Sequence, residues 1–145
     1  MSYNGDRGLV KFNGTLKADG YLKILEDNLR YAIPEEEDPL DELIFMHDGA
    51  PSHRAKDVKN YLHNRVDVLS WPPQSPDLNI MENIWAALKQ ELWDRRAEIK
   101  NERDVWRIGR EIFDSFTLVF IQSLYHSLPN RIEKVVQAKG HRIIT

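Results

Sequence analysis

The 145-residue chain contains no cysteine, which excludes disulfides and thiolate metal sites and leaves only oxygen or imidazole ligands for any metal. It also lacks any apolar run near the roughly 20 residues needed to cross a bilayer, and its first residues, MSYNGDRG, hold no hydrophobic signal core. No membrane association is expected, and the sequence reads as soluble and intracellular. A strong charge of one sign is missing too, since the net charge is −3. That profile is far from the basic balance of a dedicated nucleic-acid binder. The charge is nevertheless uneven: residues 1–50 carry 5 basic and 11 acidic side chains, and residues 95–145 carry 10 and 6. A basic C-terminal face can meet phosphates, although ordinary solvated helix faces give the same counts. The length suits one domain, or most of one.

Within those bounds, hydrophobic periodicity outlines the elements. Leu9–Phe12, closed by Asn13 and Gly14, reads as a short strand. A helix follows, capped by Asp19 and patterned by Tyr21, Leu22, Ile24, Leu25 and Leu29, until Pro34 and the acidic run Glu35–Asp38 end it in a loop. Leu43–Met46 is a continuous apolar run, the pattern of a strand buried on both faces, and it delivers His47 and Asp48 at its C-terminal end. Open α/β sheets build sites at that end.

Ser52 can cap a helix through Val58, Tyr61 and Leu62, and Val66–Trp71 reads as the next strand. A strand, helix, strand unit of this kind joins parallel strands. Pro72, Pro73 and Pro76 then impose an extended loop. Either Ser75 or Asn79 can cap the helix that follows, which runs through Ile84, Trp85, Leu88 and Leu92 and carries Glu82 in its first turns. Val105, Ile108, Ile112 and Phe116 form one further helical stripe, and Val119, Phe120 and Leu124 another. Pro129 is expected to separate a last helix ending near Gly140.

Asp48 and Glu82 are the candidate site. Hard divalent ions are held by few carboxylates plus water and substrate phosphates, so such a pair suits phosphodiester chemistry. The bland alternative is that Asp48 is a turn residue and that Glu82 answers the helix dipole. His47 and His53 flank Asp48 and make a His/Asp transition-metal site conceivable, but histidines there more often hydrogen-bond within turns. Trp85 and Trp93 stand at the spacing of a buried helix face, and core packing is preferred over base stacking. Arg95 and Arg96 are too few for a nuclear-localisation cluster.

The string HDGAPSH, followed by VLSWPPQSPDLNIMENIWAALKQEL, closely resembles the second and third acidic motifs of Tc/mariner transposases. It joins an unusual proline-rich loop to an acidic helix and is far more specific than two acids at a spacing. The likeness extends to GTLKADGYLKILEDNL before it and to SLPNRIEKVVQAKG after it.

This resemblance implies an RNase H-like, DDE integrase-type α/β fold, a mixed sheet flanked by helices, with residues 1–145 forming a partial, N-terminally truncated DDE superfamily endonuclease domain. It also implies Mg²⁺ or Mn²⁺ as cofactor, held by Asp48 as the second acid and Glu82 as the third, for DNA cleavage and strand transfer. The first acid and the DNA-binding helices are expected upstream. Neither Asp6 nor Asp19 has a strand-end position from which to replace that acid. Gly49 stands where asparagine is usual, Ile80 where proline is frequent, and the Asp48 to Glu82 interval is one residue short near Asn64–Arg65. Lacking the first strand, the Leu43–Met46 strand is expected to be an aggregation-prone edge.

The implied protein is a transposase-derived domain in the nucleus, expected to be inactive as this chain alone and an active DNA endonuclease if the chain is a piece of a longer product. It contacts DNA weakly or non-specifically and pairs with itself or an intact transposase. The alternative is a non-enzymatic DNA-binding or protein-interaction module.

Overall fold

The computed structural model describes residues 1–29, 44–63, 65–72 and 75–141. The expected loop at Pro34–Asp38, Leu43 of the first apolar strand, Asn64 of the shortened interval and Pro73 lie outside the described residues. The architecture is mixed α/β and mostly helical: α1 (Ala18–Asn28), β1 (Ile44–Phe45), α2 (Lys56–His63), β2 (Asp67–Val68), α3 (Ile80–Asp94), α4 (Glu102–Ser115) and α5 (Leu118–Gln137). The chain forms two compact units, one comprising Met1 and residues 6–74, the other Ser2–Gly5 and residues 75–145.

In the first unit β1 and β2 pair in parallel, with Ile44 opposite Asp67 and Phe45 opposite Val68. Leu69 N–H extends the ladder to the Phe45 carbonyl at 2.9 Å. The parallel pairing expected of a crossover through α2 is therefore present. Its strands are shorter than the sequence suggests, and Ile44 is 64% exposed rather than buried on both faces. Apolar content alone does not bury a strand; a layer must cover each face. Leu9–Phe12 forms no strand, because a strand requires a ladder partner, and Val10 and Phe12 lie exposed.

The core of this unit gathers Leu25 and Leu29 from α1 and its end, Val58 and Leu62 from α2, and Val66, with Tyr21, Phe45 and Tyr61 at its margin. α1 begins one residue before Asp19, which falls inside the first turn, while Lys17 occupies the cap without a side-chain bond. Asp19 still favours the helix there through the dipole. α2 begins four residues beyond Ser52, because residues 50–54 close a turn of their own: the N–H groups of His53 and Arg54 reach the Ala50 carbonyl at 2.9 and 3.2 Å.

In the second unit α3 packs against α4 and α5. Ile84, Ile108, Ile112, Phe113 and Ile121 are almost completely buried, and the Trp85 ring lies 6.4 Å from that of Phe113. Trp93 departs from the expected core position. It is exposed, and the Arg96 guanidinium sits 4.8 Å above its ring. Val105 and Val119 are exposed as well, so the buried face of α5 follows Ile121, Leu124 and Arg131.

Pro129 does not separate two helices. α5 continues through it for 20 residues. The missing N–H removes one intrahelical bond, and burial of the helix face on both sides of Pro129 keeps the axis continuous. No described helix is long and apolar enough to cross a membrane.

Candidate functional site

Asp48 follows β1 by three residues, at the C-terminal end of the parallel pair. Its Oδ1 accepts the Ala50 N–H at 3.0 Å, closing a short side-chain turn at Gly49. The same oxygen lies 2.7 Å from His53 Nδ1. Because a carboxylate only accepts, that ring nitrogen carries the proton. His53 Nδ1 also approaches the Asp48 carbonyl at 3.2 Å. Both of these side-chain contacts use Oδ1, on a side chain that is 56% exposed.

An aromatic wall stands behind this carboxylate. The His47 and His53 rings stack 5.1 Å apart at an interplanar angle of 10°, and the Tyr21 ring lies 3.9 Å from that of His53. Tyr21 Oη is 3.3 Å from His47 Nδ1. Burial, then the negative charge of Asp48, pushes the Tyr21 phenol up to about 12, keeping it neutral. His47 moves down from its ordinary value through burial and the neighbouring His53, with Asp48 opposing. The histidines thus serve the turn and its stacking. Among the described residues, no group of three His, Asp or Glu side chains could hold a metal ion. Periodicity placed Tyr21 only on a helix face; its role over the histidines depends on α1 lying beside the β1 end.

Glu82 belongs to the second unit and is exposed in the first turn of α3. Asn79, rather than Ser75, is the cap: its Oδ1 accepts the Met81 N–H at 3.0 Å. Ser75 instead opens the preceding turn, its carbonyl accepting the Leu78 N–H at 3.3 Å. Glu82 N–H donates to the Asn79 carbonyl at 3.0 Å. Next to it, Asn83 Oδ1 is buried with no hydrogen-bond partner among the described residues, an arrangement that ordinarily costs about 1–3 kcal/mol.

Arg131 was also hidden from sequence reasoning. It stands on α5, 8% exposed, and its Nη1 donates to the Asp77 carbonyl of the proline-rich loop at 3.1 Å. A buried arginine carries no distinctive periodic signal, because long basic side chains usually mark solvated positions.

The donors at Asp48 and Glu82 are carboxylate oxygens, the chemistry that hard divalent ions select. Each is, by itself, an oxygen donor of the kind such an ion takes.

Comparison with known proteins gives these residues a context. The profile of the DDE superfamily endonuclease family matches residues 1–105, which include both acids. The chain is similar to the Transposable element Tcb1 transposase of Caenorhabditis briggsae, 33% identical over 135 residues, 92% of this chain and 48% of that protein. It is also similar to the Transposable element Tc1 transposase of Caenorhabditis elegans, 31% identical over 99 residues, 68% of this chain and 36% of that protein. The Mariner Mos1 transposase of Drosophila mauritiana is 32% identical over 113 residues, 74% of this chain and 31% of that protein. The chain spans about half the length, or less, of these curated relatives.

Proposed function

The chain belongs to the DDE superfamily endonucleases, as a Tc/mariner transposase-derived DDE domain, and from that premise we propose that Asp48 and Glu82 are carboxylate ligands for Mg²⁺ or Mn²⁺ at a DNA phosphodiester site. The observation that carries this reading is the placement of both acids within the family match, each at an element end that local structure fixes. Asp48 ends the strand of a parallel β1-α2-β2 unit, and Glu82 opens α3 behind the Asn79 cap.

On this reading residues 1–145 are part of one catalytic domain with an RNase H-like mixed sheet, of which β1 and β2 are a portion. Asp48 and Glu82 would be the carboxylates that hold a divalent ion, which would supply activation of water or a DNA 3′-hydroxyl and offset phosphate charge. The chain's own contribution is orientation. His53 and the Ala50 N–H fix Asp48 through Oδ1, and the Asn79 cap fixes the turn that bears Glu82. The domain acts in the nucleus on genomic DNA, pairing with itself or with an intact transposase.

Titration of the purified chain with Mn²⁺, followed by the paramagnetic signal of the free ion, tests the ligands. Asp48→Asn and Glu82→Gln are each expected to weaken binding about tenfold or more. Unchanged affinity in both would remove the metal assignment. Incubation with supercoiled plasmid tests the phosphodiester part: Mn²⁺-dependent nicking that either substitution abolishes supports it, and nicking that survives both substitutions would overturn the assignment of these two acids.

A further inference from the structure

Among the described residues, Arg131 is the one buried polar or charged side chain. The N–H donors of a buried guanidinium must be met by acceptors. Two are present. Nε donates to Ser127 Oγ at 2.8 Å, and that hydroxyl in turn donates to the Leu124 carbonyl at 2.6 Å, which ties the arginine to its own helix. Nη1 donates at 3.1 Å to the Asp77 carbonyl, 54 residues earlier in the chain.

Asp77 lies midway between Ser75 and Asn79, in a loop with little backbone bonding available to order it, since Pro76 has no N–H. The turn bonds there are Leu78 N–H to the Ser75 carbonyl at 3.3 Å and Asn79 N–H to the Pro76 carbonyl at 3.1 Å. Two residues beyond Asp77 is the cap of α3, and three beyond that is Glu82. An apolar side chain would fill the same space at a smaller desolvation cost but could not grip a carbonyl. Arg131 lies outside residues 1–105 of the family match.

We propose that Arg131 is a positioning residue for Glu82: by holding the Asp77 carbonyl it fixes the proline-rich loop, and hence the first turn of α3, in one orientation. The inference rests on Glu82 being a metal-binding carboxylate.

The test uses the full 145-residue chain and its Arg131→Met and Arg131→Lys variants. Circular dichroism first establishes that each variant is folded, and Arg131→Lys carries the same readouts if Arg131→Met fails to fold. Hydrogen exchange at the Leu78, Asn79 and Glu82 amides is expected to accelerate about tenfold in Arg131→Met, with α4 unchanged. Mn²⁺ affinity is expected to fall about tenfold in the same variant. Arg131→Lys should recover part of both, because an ammonium can reach one acceptor but lacks the fork that reaches two.

Exchange at residues 77–82 that matches the wild type, or acceleration spread evenly over α3, α4 and α5, would overturn the proposal. If loop exchange responds to Arg131 while Glu82→Gln leaves wild-type Mn²⁺ affinity unchanged, Arg131 clamps the loop but does not position a metal ligand. That outcome separates a failure of the Glu82 assignment from a failure of the clamp.

Discussion

At the scale of single residues, the second unit is stitched by one charged group. Arg95, the residue that follows α3, reaches Glu98 at 2.7 Å and Glu111 of α4 at 3.1 Å, and Arg107 also holds Glu111 at 2.8 Å. The Arg95 hydrogen bonds hold Glu98 below the ordinary carboxylate range, and those of Arg107, then Arg95, do the same for Glu111. A lowered folded-state pKa means that the unfolded chain binds protons first as pH falls. The stabilisation is therefore complete above the unfolded pKa of about 4.3 and disappears as pH drops through the lower folded values. Glu98, Glu111 and Arg107 are about half exposed and Arg95 about a third, so the effect is modest and salt-sensitive. Arg95→Met is expected to lower the melting temperature at pH 7 in low salt. The difference from wild type should close as pH falls below the ordinary carboxylate range and shrink in high salt, as measured by thermal denaturation.

At the scale of elements, helix ends show how local chemistry sets boundaries. Asn101 caps α4 by accepting the N–H groups of Arg103 and Asp104 at 2.8 and 3.2 Å, and Asp104 Oδ2 reaches back to the Lys100 N–H at 3.0 Å. The far end of α5 closes with paired bonds, Gly140 N–H to the Val135 carbonyl at 2.9 Å and Lys139 N–H to the Val136 carbonyl at 3.0 Å. This motif requires a left-handed residue, and here that residue is Lys139, with φ of 52°. Side chains with a Cβ pay roughly 1–2 kcal/mol for that conformation. Lys139→Gly is therefore expected to raise stability by about 0.5–1 kcal/mol, read from the urea midpoint, after allowing for the greater freedom of glycine in the unfolded chain. A lower midpoint would show that the lysine side chain contributes more than its backbone strain costs.

At the scale of the whole molecule, exposed apolar surface accompanies the short sheet. Ile44 is 64% exposed, and Val68 and Leu69 are exposed beside it. Apolar strand residues that face water favour pairing between chains. Ile44→Lys is expected to raise the concentration at which the chain remains monomeric by static light scattering, with its circular dichroism spectrum unchanged. Earlier scatter in the variant would argue that Ile44 is covered in solution. The same scale separates the two acids: Asp48 belongs to the first unit and Glu82 to the second, each with its own supports.

The sequence by itself determined the family, through the proline-rich loop and acidic helix, and it determined the parallel strand pair, because a helix between two apolar runs allows few other connections. It also located α3 and its acid, since period and cap chemistry are local. Tertiary structure decided what depended on partners. Leu9–Phe12 is no strand because a ladder needs a second chain segment, and Trp93 leaves the core because neighbouring helices cover only part of the α3 face. Helix α5 runs through Pro129 because packing on both sides outweighs one lost bond. The surroundings of Asp48 and the Arg131 clamp were invisible beforehand for the same reason: Tyr21 and Arg131 come from distant sequence, and only folding brings them to the loops they hold.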